Sequence, residues 1–135
     1  MNINEKIIVL LITLHMVAVS FFQDKAPAIV RNVSAEEFKK LMDSLPDEVV
    51  VDLRTAEEIK GGKVAGSTEI DFFGQGFEPA IAALDRNKVY LLYCAAGGRS
   101  GKTAELMAKM GFKNLYNMEG GFRQWQKLRM PVSKQ

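Results

Sequence analysis

The sequence predicts an α/β fold, with a mostly parallel sheet of about five strands between helices on both faces, giving three layers. Two observations lead to this prediction. Short apolar runs typical of strands alternate with segments whose apolar residues recur at helical spacing. The most apolar run, KVYLLYC at 88–94, lacks polar alternation and is expected to be the central strand. A chain of 135 residues favours a single domain.

Five short runs are predicted to be strands. Most are rich in Val, Ile, Leu or Tyr, which suit a pleated and buried surface. The run VVVDL begins with three β-branched residues, as expected of a strand covered on both faces. In chain order, the predicted strands lie in AIVRNV at 28–33, VVVDL at 49–53, AGSTEIDF at 65–72, KVYLLYC at 88–94 and NLYNM at 114–118.

Helical segments fill the intervals between these runs. Ser34 with Glu37, and Thr55 with Glu58, have the spacing of a capping box, which marks the start of a helix. Gly111 stands where a left-handed residue is expected to end a helix. The predicted helices lie in SAEEFKKLMDSL at 34–45, in the short segment between Thr55 and Gly61, in FEPAIAAL at 77–84, in SGKTAELMAKM at 100–110 and in GGFRQWQKL at 120–128.

Charge and composition exclude several classes of protein. The net charge is +2, and no cluster of basic and aromatic residues indicates nucleic acid binding. The single cysteine, Cys94, allows neither a disulfide within the chain nor a multi-cysteine metal site. The only histidine, His15, precedes the predicted domain. A mechanism with a histidine base or ligand in the folded domain is therefore excluded.

The chain begins with a hydrophobic run, IIVLLITLHMVAVSFF at 7–22. It has the length of a signal-peptide core and is shorter than the roughly 20 residues of a usual membrane span. We therefore expect residues 1–24 to be an export signal and residues 25–135 to be the folded domain, which would be periplasmic or secreted. Two alternatives stay open: an uncleaved membrane anchor, the chain's only expected membrane contact, or a buried element of the domain.

The loop after the predicted central strand is where chemistry is expected, because ligands of parallel sheets sit at the carboxyl ends of the strands. One interpretation is a phosphate-binding loop. AGGRSGKT, Ala96 to Thr103, differs from G-x-x-x-x-G-K-[ST] only by Ala at the first Gly position. No later apolar strand ends in an Asp that could hold magnesium, so this interpretation is disfavoured.

The second interpretation is a reactive thiolate at Cys94. A helix N-terminus or a nearby cation lowers the pKa of a thiol. We expect a helix to start near Ser100 and Arg99 to close the loop with a positive charge, while the residues between carry no bulk and can turn their N–H groups toward the sulfur. An inert buried cysteine is the alternative. The predicted site consists of Cys94, Ala95, Ala96, Gly97, Gly98, Arg99 and Ser100.

Three separated segments, taken together, resemble the rhodanese family of sulfurtransferases. CAAGGRS fits the active-loop form C-x-x-G-x-R-S. VDLRTAEEIKGGKVAGSTEI at 51–70 is similar to D-[VL]-R-x-x-x-E-[FY]-x-x-G-H-I-x-G-A, and GFKNLYNMEGGFRQW at 111–125 to a closing segment with G-G-x-x-x-W. The resemblance covers residues 29–132. Lys63 stands where the family usually has His, and Ala65 where Pro is common.

This resemblance implies a rhodanese-like fold and sulfur transfer without a cofactor or metal. Cys94 would take the outer sulfur of a donor, thiosulfate or a persulfide, and pass it from a persulfide to cyanide or a thiol. Asp52 and Arg54 resemble the family's paired charges on the second strand, where they either support the loop or pin a strand end. An exported lone thiol would dimerise or need a redox partner protein.

Two other functions are weighed against this one. Some rhodanese-like domains are sulfur carriers or binding modules rather than enzymes, although loss of the cysteine usually marks them. Phosphatases and arsenate reductases of related fold are disfavoured, because four residues rather than five separate Cys94 from Arg99. Arg99 is the loop's only charge, which we expect to disfavour dianionic thiosulfate and favour a persulfide or polysulfide donor.

Overall fold

The computed structural model of the chain describes residues 1–10 and 26–134. Residues 3–10 are helical and exposed. Residues 11–24 of the predicted export signal lie outside the described residues, so the signal stays a prediction. Within the two described ranges, no helix is both long and apolar enough to cross a membrane.

The sheet has five strands, and every pair of neighbours is parallel. Their order is β1-β5-β4-β2-β3, so β4 is central as its apolar sequence predicts. The α/β prediction is confirmed, and the sheet is entirely rather than mostly parallel. The strands are β1 (Ile29–Val33), β2 (Glu48–Asp52), β3 (Thr68–Glu69), β4 (Val89–Tyr93) and β5 (Asn114–Met118).

Four helices connect the strands, and a fifth follows β5. Thr55 and Glu58 form both hydrogen bonds of the predicted capping box. Ser34 accepts the N–H of Glu37, as expected of an N-cap residue. The helix after the central strand begins at Gly98, two residues before the predicted start at Ser100. The helices are α1 (Ala35–Ser44), α2 (Ala56–Ile59), α3 (Phe77–Ala82), α4 (Gly98–Lys109) and α5 (Gly121–Lys127).

The sheet separates two hydrophobic layers, because successive residues of a strand point to opposite faces. Val51 and Leu92 pack in one layer, whereas Val50 and Leu91 pack in the other. The first layer is completed from α3 and α4 by Ile81, Ala104 and Met107. The second is completed from α1 and α5 by Ala35, Phe38, Phe122 and Trp125. The predicted three-layer arrangement is therefore present.

The register of the sheet brings the ends of two strands together. Asp52, the last residue of β2, pairs with Tyr93, the last residue of β4. The N–H of Leu53 continues the ladder to the carbonyl of Tyr93 at 2.9 Å. Cys94 is the next residue of the chain, so it leaves the sheet beside Asp52 and just before α4 begins.

Candidate active site

Cys94 lies at the carboxyl end of the central strand, with only 2% of its surface exposed. Its Sγ accepts a hydrogen bond from the Gly97 N–H at 3.1 Å. The hydroxyl of Ser100 donates to the same sulfur at 3.3 Å. The loop therefore curls around the sulfur, with one donor from its backbone and one from the first turn of α4.

Two opposing effects determine the pKa of Cys94. Burial removes the sulfur from water and raises the pKa. The Ser100 hydroxyl, followed by the N–H groups of Ser100, Ala96 and Gly97, stabilises the thiolate and outweighs burial. The pKa of Cys94 is consequently below its ordinary value. This is the direction that makes a cysteine a nucleophile near neutral pH.

Glycines allow the loop to adopt this shape. Gly97 is the N-cap of α4 and has φ of +96°, a left-handed conformation that residues with a side chain rarely adopt. Gly121 at the start of α5 lies so close that a Cβ would sit 2.4 Å from the Cys94 carbonyl oxygen. The N–H groups of Phe122 and Arg123 bind the carbonyls of Cys94 and Ala95 at 2.8 and 3.1 Å. The beginning of α5 thus supports the loop from behind.

Arg99 does not stand alone beside the sulfur. Its Nη1 and Nη2 atoms bind Oε2 and Oε1 of Glu58 at 2.8 and 2.7 Å. Hydrogen bonding to Arg99 is the main cause that lowers the pKa of Glu58 to about 2. The pKa of Arg99 is raised, chiefly by Glu58 and to a smaller extent by Cys94. The single cation of the loop is therefore largely matched by a carboxylate.

Asp52 and Arg54 form a buried ion pair under the loop. Arg54 Nε lies 2.9 Å from Asp52 Oδ1, and Arg54 Nη2 lies 2.7 Å from Asp52 Oδ2. The same guanidinium donates to the carbonyls of Gly62 and Glu58 and lies 3.9 Å from the ring centroid of Phe122. The pair lies at the end of β2, and Arg54 packs against Phe122, whose N–H binds the Cys94 carbonyl. Support of the loop by this pair stays a prediction.

The remaining residues of the loop around Cys94 differ in their exposure to solvent. Ala95 is half-buried, whereas Ala96 and Gly98 are exposed.

Residues 34–128 match the family model of the rhodanese-like domain. The chain belongs to this family. The match covers more than half of the chain and includes all seven predicted loop residues, as well as Asp52 and Arg54.

Both sequence relatives and solved structures are similar to this rhodanese-like domain. A tRNA uridine(34) hydroxylase from Pectobacterium carotovorum is 34% identical over 93 residues, which cover 66% of this chain but only 26% of the hydroxylase. A rhodanese-related protein from Thermoplasma volcanium has a TM-score of 0.68 at 27% identity, covering 78% of this chain and 99% of that structure. A polysulfide-sulfur transferase homodimer from Wolinella succinogenes has a TM-score of 0.66 at 27% identity, covering 82% of each chain.

Glu58 and Asn117 of this rhodanese-like domain contact the loop through their side chains, although the sequence does not predict them as site residues. Glu58 binds Arg99, but in the sequence the capping box with Thr55 already accounts for a Glu at this position. Its place as the final Glu of the D-L-R-x-x-x-E segment is the signal that could have identified it. Asn117 Nδ2 donates to the carbonyl of Gly97 at 3.2 Å and to Asn32 Oδ1 at 2.9 Å. Its place in β5 between Tyr116 and Met118 is the corresponding signal, because a polar side chain in a buried strand needs a hydrogen-bond partner.

Lys102 and Thr103 of the alternative phosphate-binding loop lie on α4 of the rhodanese-like domain. The hydroxyl of Thr103 donates to the carbonyl of Arg99 at 2.9 Å, and Thr103 is fully buried. Lys102 is exposed on the helix surface. Because the hydroxyl is used inside the helix, this geometry does not favour a phosphate and magnesium site.

Proposed function

We propose that the protein is a sulfurtransferase that carries sulfane sulfur on Cys94 as a persulfide. The donor is thiosulfate or a persulfide, and the acceptor is cyanide or a thiol. The observation that carries this proposal is the environment of Cys94 Sγ. A buried sulfur with a lowered pKa accepts hydrogen bonds from Gly97 and Ser100 at the carboxyl end of the central strand.

In the first half-reaction, the Cys94 thiolate attacks the outer sulfur of the donor. A new S–S bond forms at Cys94, and the donor's S–S bond breaks with its electron pair on the leaving group. Thiosulfate releases sulfite, and a protonated persulfide releases the corresponding thiol. The negative charge ends on the outer sulfur of the Cys94 persulfide. The N–H groups of Ala96, Gly97 and Ser100 and the Ser100 hydroxyl are the donors available to stabilise it.

In the second half-reaction, the acceptor attacks the outer sulfur of the persulfide and the Cys94 thiolate leaves. Cyanide is converted to thiocyanate and a thiolate to a persulfide. Because the sequence has one cysteine, no second thiol of the chain can resolve the persulfide. Turnover then depends on an external acceptor and follows ping-pong kinetics.

Two comparisons support this proposal. The protein from Wolinella succinogenes, a polysulfide-sulfur transferase, has a similar structure over 82% of this chain at 27% identity. The family match extends over the predicted site. The chain spans only 26% of the tRNA uridine(34) hydroxylase, so that enzyme's reaction is not part of the proposal.

Intact-mass spectrometry of the full chain tests the proposal. The protein is treated with thiosulfate or with glutathione persulfide, beside a Cys94→Ser variant that replaces the nucleophile by an almost isosteric hydroxyl. We expect a gain of one sulfur atom that cyanide removes and that the variant lacks. A folded protein with a free thiol that gains no sulfur from either donor contradicts the proposal and favours the binding-module function.

A further inference from the structure

The Glu58–Arg99 ion pair determines how much positive charge the active site offers to a donor. Both guanidinium Nη atoms bind the two carboxylate oxygens, which is the strong bidentate form of this interaction. Glu58 is also fixed from its own helix, since Oε2 accepts the Thr55 N–H at 2.9 Å and the Thr55 hydroxyl at 3.1 Å. The carboxylate is therefore already positioned where Arg99 meets it.

The rest of the loop contributes only uncharged donors. Between Cys94 and Ser100, Arg99 is the one charged side chain of the sequence. Arg54, a second guanidinium behind Phe122, is buried and bound by Asp52. Lys102 is exposed on α4. From the loop and Glu58, a donor that approaches Cys94 thus meets backbone N–H groups, a hydroxyl and an ion pair with no net charge.

On the basis of the proposed sulfur transfer, we infer that Glu58 is a specificity-determining residue. It reduces the use of dianionic thiosulfate and favours donors that carry at most one negative charge in total, such as a low-molecular-weight persulfide. The thiosulfate reaction brings two charges to the Cys94 thiolate and releases sulfite with two. The persulfide reaction, RSSH with Cys94–S⁻ giving RSH and Cys94–S–S⁻, keeps a single negative charge throughout.

Glu58→Gln tests this role, because Gln is the alternative residue of a capping box and keeps an oxygen for Thr55 while it removes the charge. The second-order rate constant for sulfur loading of Cys94 is measured by quenched intact-mass spectrometry. The donors are thiosulfate and the persulfide of 2-mercaptoethanol, whose only ionisable group is the persulfide itself. We expect the thiosulfate-to-persulfide ratio to rise about ten-fold or more, the range of a hydrogen bond to a charged group.

Glu57→Gln is the matched control. Glu57 lies on the same helix and is exposed, and its carboxylate binds Lys60 at 2.6 Å rather than Arg99. Glu57→Gln removes the same charge from the same helix. Its thiosulfate-to-persulfide ratio of loading rate constants is expected to equal that of the unchanged protein. An unchanged or lower ratio in Glu58→Gln, or an equal rise in both variants, overturns the inference.

A second variant covers the case in which Glu58→Gln does not fold. Glu58→Asp keeps the charge but is one methylene shorter, so it cannot preserve both bonds to Arg99, and the ratio should rise by less. A ratio that stays constant in Glu58→Asp contradicts the inference. Loading of the unchanged protein separates the two hypotheses. If neither donor loads Cys94, the proposed function and this inference both fall, whereas loading without a change of ratio removes only the inference.

Discussion

At the scale of single residues, Ser100 has the largest influence among the groups that make Cys94 reactive. Burial raises the pKa of the thiol, and the Ser100 hydroxyl is the first of the hydrogen-bond donors that lower it below its ordinary value. The thiolate attacks and the thiol does not. The rate of Cys94 reactions should therefore increase as the pH rises through this lowered pKa and level off above it.

Ser100→Ala removes the hydroxyl donor to Cys94 and leaves the backbone donors in place. We expect the pKa of Cys94 to rise, so that the midpoint of the pH–rate profile for alkylation by iodoacetamide moves to higher pH. Sulfur loading at neutral pH should slow in parallel. Ser44→Ala, at the exposed end of α1, is the control and should leave the midpoint in place. A midpoint that moves to lower pH in Ser100→Ala contradicts the prediction.

At the scale of secondary-structure elements, the Asp52–Arg54 pair connects β2 to α2 and α5. Asp52 is fully buried and Arg54 is 3% exposed, while the guanidinium reaches Gly62 and stacks on Phe122. Tyr93 at the end of β4 donates its hydroxyl to Asp52 and accepts the N–H of Val64 at 3.1 Å. Several elements therefore depend on one carboxylate.

Asp52→Asn leaves the buried guanidinium of Arg54 without a matching charge. Loss of one partner of a buried ion pair costs about 3–5 kcal/mol, so we expect a fall of that size in the free energy of unfolding measured in urea. Asp47→Asn, at an exposed position just before β2, should change stability by less than about 0.5 kcal/mol. If Asp52→Asn costs no more than this control, the pair does not stabilise the fold.

At the scale of the whole molecule, local sequence patterns predict most helices and strands. They do not predict contacts between residues that are far apart in the sequence. The strand NLYNM is found at its predicted bounds, between Gly111 at the end of the preceding helix and the Gly120-Gly121 turn. The start of α4 differs by two residues, since its N-cap Gly97 offers no side-chain signature. The partner of Arg99 lies 41 residues away, and capping already accounts for Glu58 within its own helix.

The C-terminal residues are hydrogen-bonded to the segment that follows α2. Lys63 and Ser133 exchange two backbone hydrogen bonds of 3.0 and 2.9 Å, and the indole N–H of Trp125 donates to the Pro131 carbonyl at 2.9 Å. This is also where the sequence departs from the family pattern. Lys63, in place of His, binds the Ser67 carbonyl and the carboxylate of Glu69 at 3.2 and 2.6 Å.

Removal of residues 129–135 deletes these three hydrogen bonds, together with those that the N–H groups of Arg129 and Met130 donate to Gln126 and Trp125, and leaves the buried Trp125 N–H without its acceptor. At about 0.5–1.5 kcal/mol for each of the five bonds, we expect the free energy of unfolding to fall by roughly 3–7 kcal/mol. Removal of residues 134–135 alone keeps Ser133 and all five bonds, and should leave the urea midpoint unchanged. If both truncations unfold at the same urea concentration, the C-terminal residues do not hold the segment after α2. Because that segment carries the Gly62 carbonyl that binds Arg54, the longer truncation should also slow sulfur loading of Cys94.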